Sequence, residues 1–348
     1  MTDELLWTYA FNLIINSLFS FLTTTSLIYL LITILRIKQL RLKSLLLALP
    51  LIKLLLDPFL YNFENWALLD QVNLLQLESG SRSLNIALKL PTNFLDFFSI
   101  QFSTLEGQTF SLADLIVFSI PSEIIRFITI FMGSVSLILF GRYLIRLRTS
   151  IKAISKLVEN AILCPRQVQN SLLISKIKEK KCELIVSSEI TTPCAFGIFH
   201  KRICFPHKLC KSLQQKEFEA ILAHELDHLR WYDNLVRMFC QIISRIFWWV
   251  PTSYLFQHMK CVQERACDSN IEKFKISPLD LASAIVKTTK ASDCPIGMAC
   301  FAQESTIVKR IKSLLKPPIK RSKKFKLIQI VLTLIVTILV LLGRFWIF

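Results

Sequence analysis

The first 163 residues of this 348-residue chain contain no cysteine; all ten fall between Cys164 and Cys300. No two are spaced as CxxC, which removes the usual structural zinc site and the redox dithiol from consideration. Free thiols packed as small hydrophobes in a reducing compartment are expected instead. Histidine is scarce, with five residues, and acidic residues number 25 against 42 Lys and Arg, a net charge of +17. The amino terminus lacks a basic leader and a small-residue cleavage site, so the first apolar run is expected to be retained rather than removed as a signal peptide. Glycine occurs only seven times, while 53% of the residues are hydrophobic and the mean hydropathy is +0.48. That excess lies in runs long enough to cross a bilayer, so the chain reads as an integral membrane protein.

Four spans are expected. The first, about Leu5 to Leu35, carries no charge and exceeds the ~20 residues that a crossing helix needs. The second, Leu42 to Tyr61, is interrupted by Lys43, Pro50, Lys53, Asp57 and Pro58; Lys53 and Asp57 are four apart and are read as a pair on one helical face. The third lies in Leu112 to Leu147 and the fourth in Leu327 to Phe348. Arg36, Lys38, Arg41 and Lys43 between spans one and two mark that link as cytoplasmic and put the amino terminus outside. Residues 62–111 carry Glu64, Asp70, Glu78, Asp96 and Glu106 against Arg82 and Lys89, as an outer loop would. The expected layout is therefore spans in 1–61, an outer loop at 62–111, a span in 112–148, a cytoplasmic domain at 149–325 and a last span at 326–348.

The basic run that includes Lys309, Arg310, Lys312, Lys316, Lys320, Arg321, Lys323, Lys324 and Lys326 abuts the fourth span. In that position it reads as a topology signal in contact with anionic lipid headgroups, and no direct nucleic-acid binding is expected.

Within the cytoplasmic segment, His224-Glu225-Leu226-Asp227-His228 is an HExxH motif. Two imidazoles four residues apart share one helical face and can reach one metal ion, with Glu225 placed to act on a water held there. That arrangement belongs to a zinc metallopeptidase. The motif is expected mid-helix, in a helical run from Gln214 that continues until Pro251. Upstream, CELIVSS at 182–188 has strand character, and AFGIF at 195–199 and RICF at 202–205 form an expected hairpin about His200-Lys201. AFGIF, with Ala195, Phe196 and Gly197, is the candidate edge strand for an extended substrate.

A catalytic zinc takes three protein ligands and leaves a position open. Glu264, past the Pro251 break in a second expected helix, is the best third ligand. Asp268, one turn further, would accept the N–H of a ligating imidazole, and Asp233 and Asn234 are alternatives for that bracing role. His200, His207 and His258 read as surface or packing histidines, although His258, six residues before Glu264, lies within reach of the site.

Thr192-Pro193-Cys194-Ala195-Phe196-Gly197, Ile203-Cys204-Phe205-Pro206, the HExxH run with Asp233-Asn234, and Glu264-Arg265-Ala266-Cys267-Asp268 occur in that order. Together they resemble the BlaR/MecR-type antirepressor metallopeptidases over roughly residues 150–320. The resemblance implies zinc bound by His224, His228 and Glu264, Glu225 as general base, and a gluzincin-like domain on the cytoplasmic face of a bacterial membrane. Two departures stand out. The antibiotic sensors of that family carry an outer penicillin-binding domain after the last span, so no β-lactam sensing is inferred for a sequence ending at Phe348. Cys194 stands where the family usually has an aromatic residue.

The expected fold class is α+β: four transmembrane helices with a mostly helical peptidase domain around a small sheet. The first functional reading is a zinc metalloendopeptidase that cleaves a cytoplasmic regulator, such as a transcriptional repressor, or itself. A housekeeping protease of the CAAX or HtpX type and a non-enzymatic scaffold are the alternatives.

Overall fold

The computed structural model describes residues 3–60, 83–89, 101–103, 109–111, 115–291 and 307–315. The chain divides into two units. One comprises residues 1–143, 241–256 and 323–348; the other comprises 144–240 and 257–322. Residues 241–256 group with the first unit.

In the first unit, α1 (Asp3–Ile34) and α2 (Leu40–Leu60) are joined by a tight turn with Arg36 at positive φ. Strands β1 (Ser83–Lys89) and β4 (Leu115–Pro121) pair antiparallel, as do β2 (Gln101–Ser103) and β3 (Thr109–Ser111). The β1–β4 ladder takes the start of the apolar run read as a third span. LIVFSIP is rich in β-branched and aromatic residues and ends in proline, so it satisfies its backbone in a strand pair, and the helix begins only at Ser122. That helix, α3 (Ser122–Glu159), and Ala10–Ile34 of α1 are the two described segments long and apolar enough to cross a membrane. The second expected span does form a helix, with Lys53 buried in it. The Asp57 side chain, most of the 62–111 loop and the fourth span fall outside the described residues.

The second unit is α+β, mostly helical around one small mixed sheet. Its order is β5 (Ile162–Leu163), β6 (Glu183–Ser187), β8 (Arg202–Pro206) and β7 (Cys194–Phe196), with β6 parallel to β8 and the other pairs antiparallel. The expected hairpin exists, although its first strand stops at Phe196. Gly197 turns the chain at φ +91°, where a Cβ would meet the His200 carbonyl oxygen at 1.9 Å. Short helices α4 (Ser171–Glu179) and α5 (His207–Ser212) flank the sheet. The central helix α6 (Gln215–Arg230) buries Phe218, Ile221, Leu222, Leu226 and Leu229, with the Phe218 and Phe205 rings 4.7 Å apart. Two helices flank the Pro251 break: α7 (Asp233–Ile246) before it and α8 (Thr252–Asn270) after it. Helix α9 (Pro278–Ala291) covers α6, and a short helix at 307–314, α10, follows.

The eight described cysteines are free thiols. Burial pushes Cys182 and Cys194 up to about 12 and Cys204 up to about 11, so these three stay protonated and unreactive at neutral pH. Cys261 is exposed, unlike the buried thiol expected there.

Candidate metal centre

Helix α6 is fixed at both ends by polar contacts. At its start, Gln214 and Glu217 form a reciprocal capping box, with Gln214 N donating to Glu217 Oε2 at 2.8 Å. The same buried carboxylate takes Ser283 Oγ at 2.6 Å and Lys287 Nζ at 2.7 Å from α9. At its end the helix does not run on to Pro251 as the periodicity predicts. Tyr232 adopts a left-handed conformation, φ +52°, and a new helix starts at Asp233. HExxH therefore occupies the last two turns of α6, and the reversal folds Asp233 back onto the motif.

The two imidazoles lie edge to face, with centroids 4.9 Å apart. His224 Nε2 is 3.5 Å from Glu264 Oε2, and His228 Nε2 is 3.6 Å from Glu264 Oε1. The opposite ring nitrogens face other carboxylates. His228 Nδ1 is 2.7 Å from Asp233 Oδ2. His224 Nδ1 is 3.0 Å from Asp268 Oδ1 but out of line for a straight hydrogen bond, leaving a close charge contact. Asn270 Nδ2 donates to Asp227 Oδ2 at 2.7 Å and so ties α8 to the middle of the motif.

A second donor set overlaps this one. His224, His228 and Cys267 offer atoms within 4.8 Å of one another. Cys267 Sγ, however, approaches His228 Nδ1 at 3.3 Å, the nitrogen already engaged by Asp233. Using it would cost His228 its 2.7 Å partner, whereas the Nε2 atoms meet at Glu264 with both Nδ1 atoms braced.

Two arginines complete the cluster. Arg237 donates from Nη2 to Glu264 Oε1 at 2.8 Å and from Nε to Gln263 Oε1 at 2.9 Å. Arg310 grips Asp268 through Nε (2.9 Å) and Nη2 (2.7 Å), and its Nη1 lies 3.3 Å from Glu264 Oε2. Sequence reasoning missed both. Arg310 was absorbed into the basic run, and nothing around Arg237 distinguishes it from a surface arginine.

Burial raises the carboxyl of Glu225 above its ordinary range, and the neighbouring histidines offset this only in part. Burial also works against charge on Glu264 and Asp268. For Glu264 the pairing with His224 and His228 wins and holds it well below the ordinary value; Asp268 is lowered by His224 and Arg310. Desolvation disfavours protonated His224, yet Asp268 and Glu264 outweigh it and lift the pKa to about 10. Protons on the two imidazoles offset the clustered carboxylates, a task a dication could take over.

A cleft of about 440 Å³ opens onto these groups. Cys194 and Ala195 form one wall with Thr192 and Pro193, while Ile221, Leu281 and Ile285 supply apolar surface. Glu225 and Asn234 also line it. Asn234 spends its amide on the strand rather than on an imidazole, donating from Nδ2 to Ala195 O at 2.6 Å. Phe196 and Gly197 continue the strand and its turn but are not among the lining residues, nor are His200, His207 and His258.

Comparisons with known proteins point to a peptidase family. The profile of the family described as BlaR1 peptidase M56 matches residues 112–314, more than half of the chain. The methicillin resistance mecR1 protein of Staphylococcus aureus is 31% identical over 98 residues, covering 27% of this chain and 16% of its own. The mecR1 protein of Staphylococcus epidermidis gives the same figures. The regulatory protein BlaR1 of Bacillus licheniformis is 26% identical over 136 residues, 38% of this chain and 22% of its own. The aligned segments thus cover about a fifth or less of those relatives. On the profile match, which spans both the α3 helix and the whole HExxH region, this chain belongs to the BlaR1 peptidase M56 family.

Proposed function

We propose that the chain is a membrane zinc metalloendopeptidase that hydrolyses a peptide bond in a cytoplasmic regulatory protein, a transcriptional repressor or the chain itself. The observation that carries this reading is the convergence of His224 Nε2 and His228 Nε2 on Glu264, with each Nδ1 backed by its own carboxylate. Two imidazoles and one carboxylate fit zinc and leave a coordination position free. We assign His224, His228 and Glu264 as ligands. Asp268 and Asp233 brace the imidazoles.

Zinc at this site would polarise the scissile carbonyl and acidify a water beside it. Glu225 receives the proton from that water and delivers it to the leaving amine. Arg237 and Arg310, bonded to Glu264 and Asp268, hold the ligand carboxylate and the brace in place.

The substrate lies extended along β7, with Ala195 and Phe196 setting its register and Gly197 turning the chain at the strand's end. Asn234 fixes that strand through the Ala195 carbonyl. The peptidase unit faces the cytoplasm, as the charge pattern of the flanking segments predicts.

The test uses the full chain purified in detergent. Bound zinc is measured, and cleavage of the chain and of helix-turn-helix repressors from its genetic neighbourhood is compared with Glu225→Gln. Zinc retained with hydrolysis lost is expected. A native protein that binds no zinc would end the enzymatic reading.

A further inference from the structure

We propose that residues 241–256, the joined ends of α7 and α8, form a re-entrant hairpin that enters the bilayer beside α1 and α3 and presents its outer face to lipid acyl chains. These residues group with the spanning helices, while the remainder of each helix belongs to the other unit and carries Arg237 and Glu264.

The first support is depth. Trp249 Nε1 donates to Ile14 O at 3.2 Å and to Ser17 Oγ at 3.0 Å. Ile14 and Ser17 lie inside the Ala10–Ile34 span, about 6–10 Å from its amino-terminal end at ~1.5 Å per residue. On the other side, Ser136 Oγ donates to Ile246 O at 2.7 Å, roughly 21 Å along α3 from its start by the same rise. A turn resting on a span at its rim would make neither contact.

Backbone satisfaction is the second. Irregular backbone is tolerated at membrane depth only when its polar groups are answered from within the protein. Several of the turn's polar groups are answered in this way. Phe247 N donates to Ile243 O (2.8 Å), Val250 N to Phe247 O (3.0 Å) and Thr252 N to Val250 O (2.7 Å). Pro251 has no N–H to answer, the Ile246 carbonyl is taken by Ser136, and Thr252 Oγ1 closes the hairpin on Ser244 Oγ at 2.9 Å.

Composition is the third. The sixteen residues QIISRIFWWVPTSYLF hold one charge, Arg245, and no acid. Trp248, whose indole N–H donates to Met132 O at 3.5 Å, and Tyr254 are 36% and 73% exposed in the protein alone, so their rings need a partner that is apolar yet tolerates a phenol. Arg245 is exposed and its long stem can carry the charge toward the interface.

The experiment places a photoreactive benzophenone amino acid at Tyr254, and separately at Trp248, in the full chain in phospholipid nanodiscs. Leu137 on α3, 74% exposed, is the lipid-facing control, and Leu172 on α4, 41% exposed, the control in the other unit. After irradiation, mass spectrometry should find phospholipid adducts at 254 and 248 in yields comparable to 137, and none at 172. Lipid adducts at 137 but at neither 254 nor 248 would overturn the proposal, as would equal yields at 172. Neither outcome depends on zinc or on hydrolysis.

Discussion

Asp233 reaches His228 Nδ1 at 2.7 Å because the backbone reverses at Tyr232 immediately after α6. Its neighbour Asn234 turns the other way and holds the Ala195 carbonyl. The two positions should therefore separate metal binding from substrate alignment. Asp233→Ala is expected to weaken zinc by about 10–100-fold, the usual cost of losing such a brace. Asn234→Ala should leave zinc affinity near the native value and lower turnover. Chelator competition alongside peptide cleavage measures both, and equal zinc loss in the two variants would break the assignment.

Stability of the metal-free protein should fall on the alkaline side. His224 is raised to about 10 from an unfolded value of about 6.5, so its contribution is complete below about pH 6.5 and disappears as pH climbs through about 10. Glu264 and Asp268 are lowered, so theirs is present above the ordinary carboxylate pKa of about 4 and is lost only as pH drops below it. Thermal unfolding of EDTA-treated protein at pH 6, 8 and 10 should show a declining midpoint. Zinc should bind more tightly over the same rise, because it competes with the imidazole protons.

Gly197→Ala places a methyl group 1.9 Å from the His200 carbonyl in a backbone conformation that L-residues rarely adopt. The turn between β7 and β8 must shift, and β7 with it. Cleavage should drop while zinc content holds. Normal turnover in this variant would remove β7 from the substrate path.

Phe218 is fully buried against Phe205 between α6 and the sheet. Phe218→Ala should destabilise the peptidase unit by about 3–5 kcal/mol through the cavity it leaves. Limited proteolysis against temperature would register the loss as earlier cleavage within residues 171–291, and Phe218→Leu should recover much of it.

Much of the centre can be read from the chain because its chemistry is written in local spacing. The four-residue repeat puts His224 and His228 on one face of α6, and Glu264 and Asp268 follow the same rule on α8. The hairpin announces itself by strand residues around a short polar turn. Other features carry no such signature. Trp231-Tyr232 contains neither glycine nor proline, and the apolar period runs through it, so the helix break at Tyr232 is imposed by packing. Strand β4 hides in a run whose hydropathy suits a span equally well. Arg237 and Arg310 become visible only once three dimensions bring them to Glu264, since an arginine in a basic stretch looks the same whether it faces solvent or a buried carboxylate.

Arg310 sits 46 residues after Glu264 in sequence and contacts both Glu264 and Asp268. A shortened gene product ending at residue 291 would keep every residue of the HExxH and Glu264 motifs, yet would expose two acidic side chains robbed of their shared cation. Any attempt to express the peptidase unit by itself should therefore extend through residue 315, since a fragment chosen on motif boundaries alone would leave Glu264 and Asp268 without Arg310.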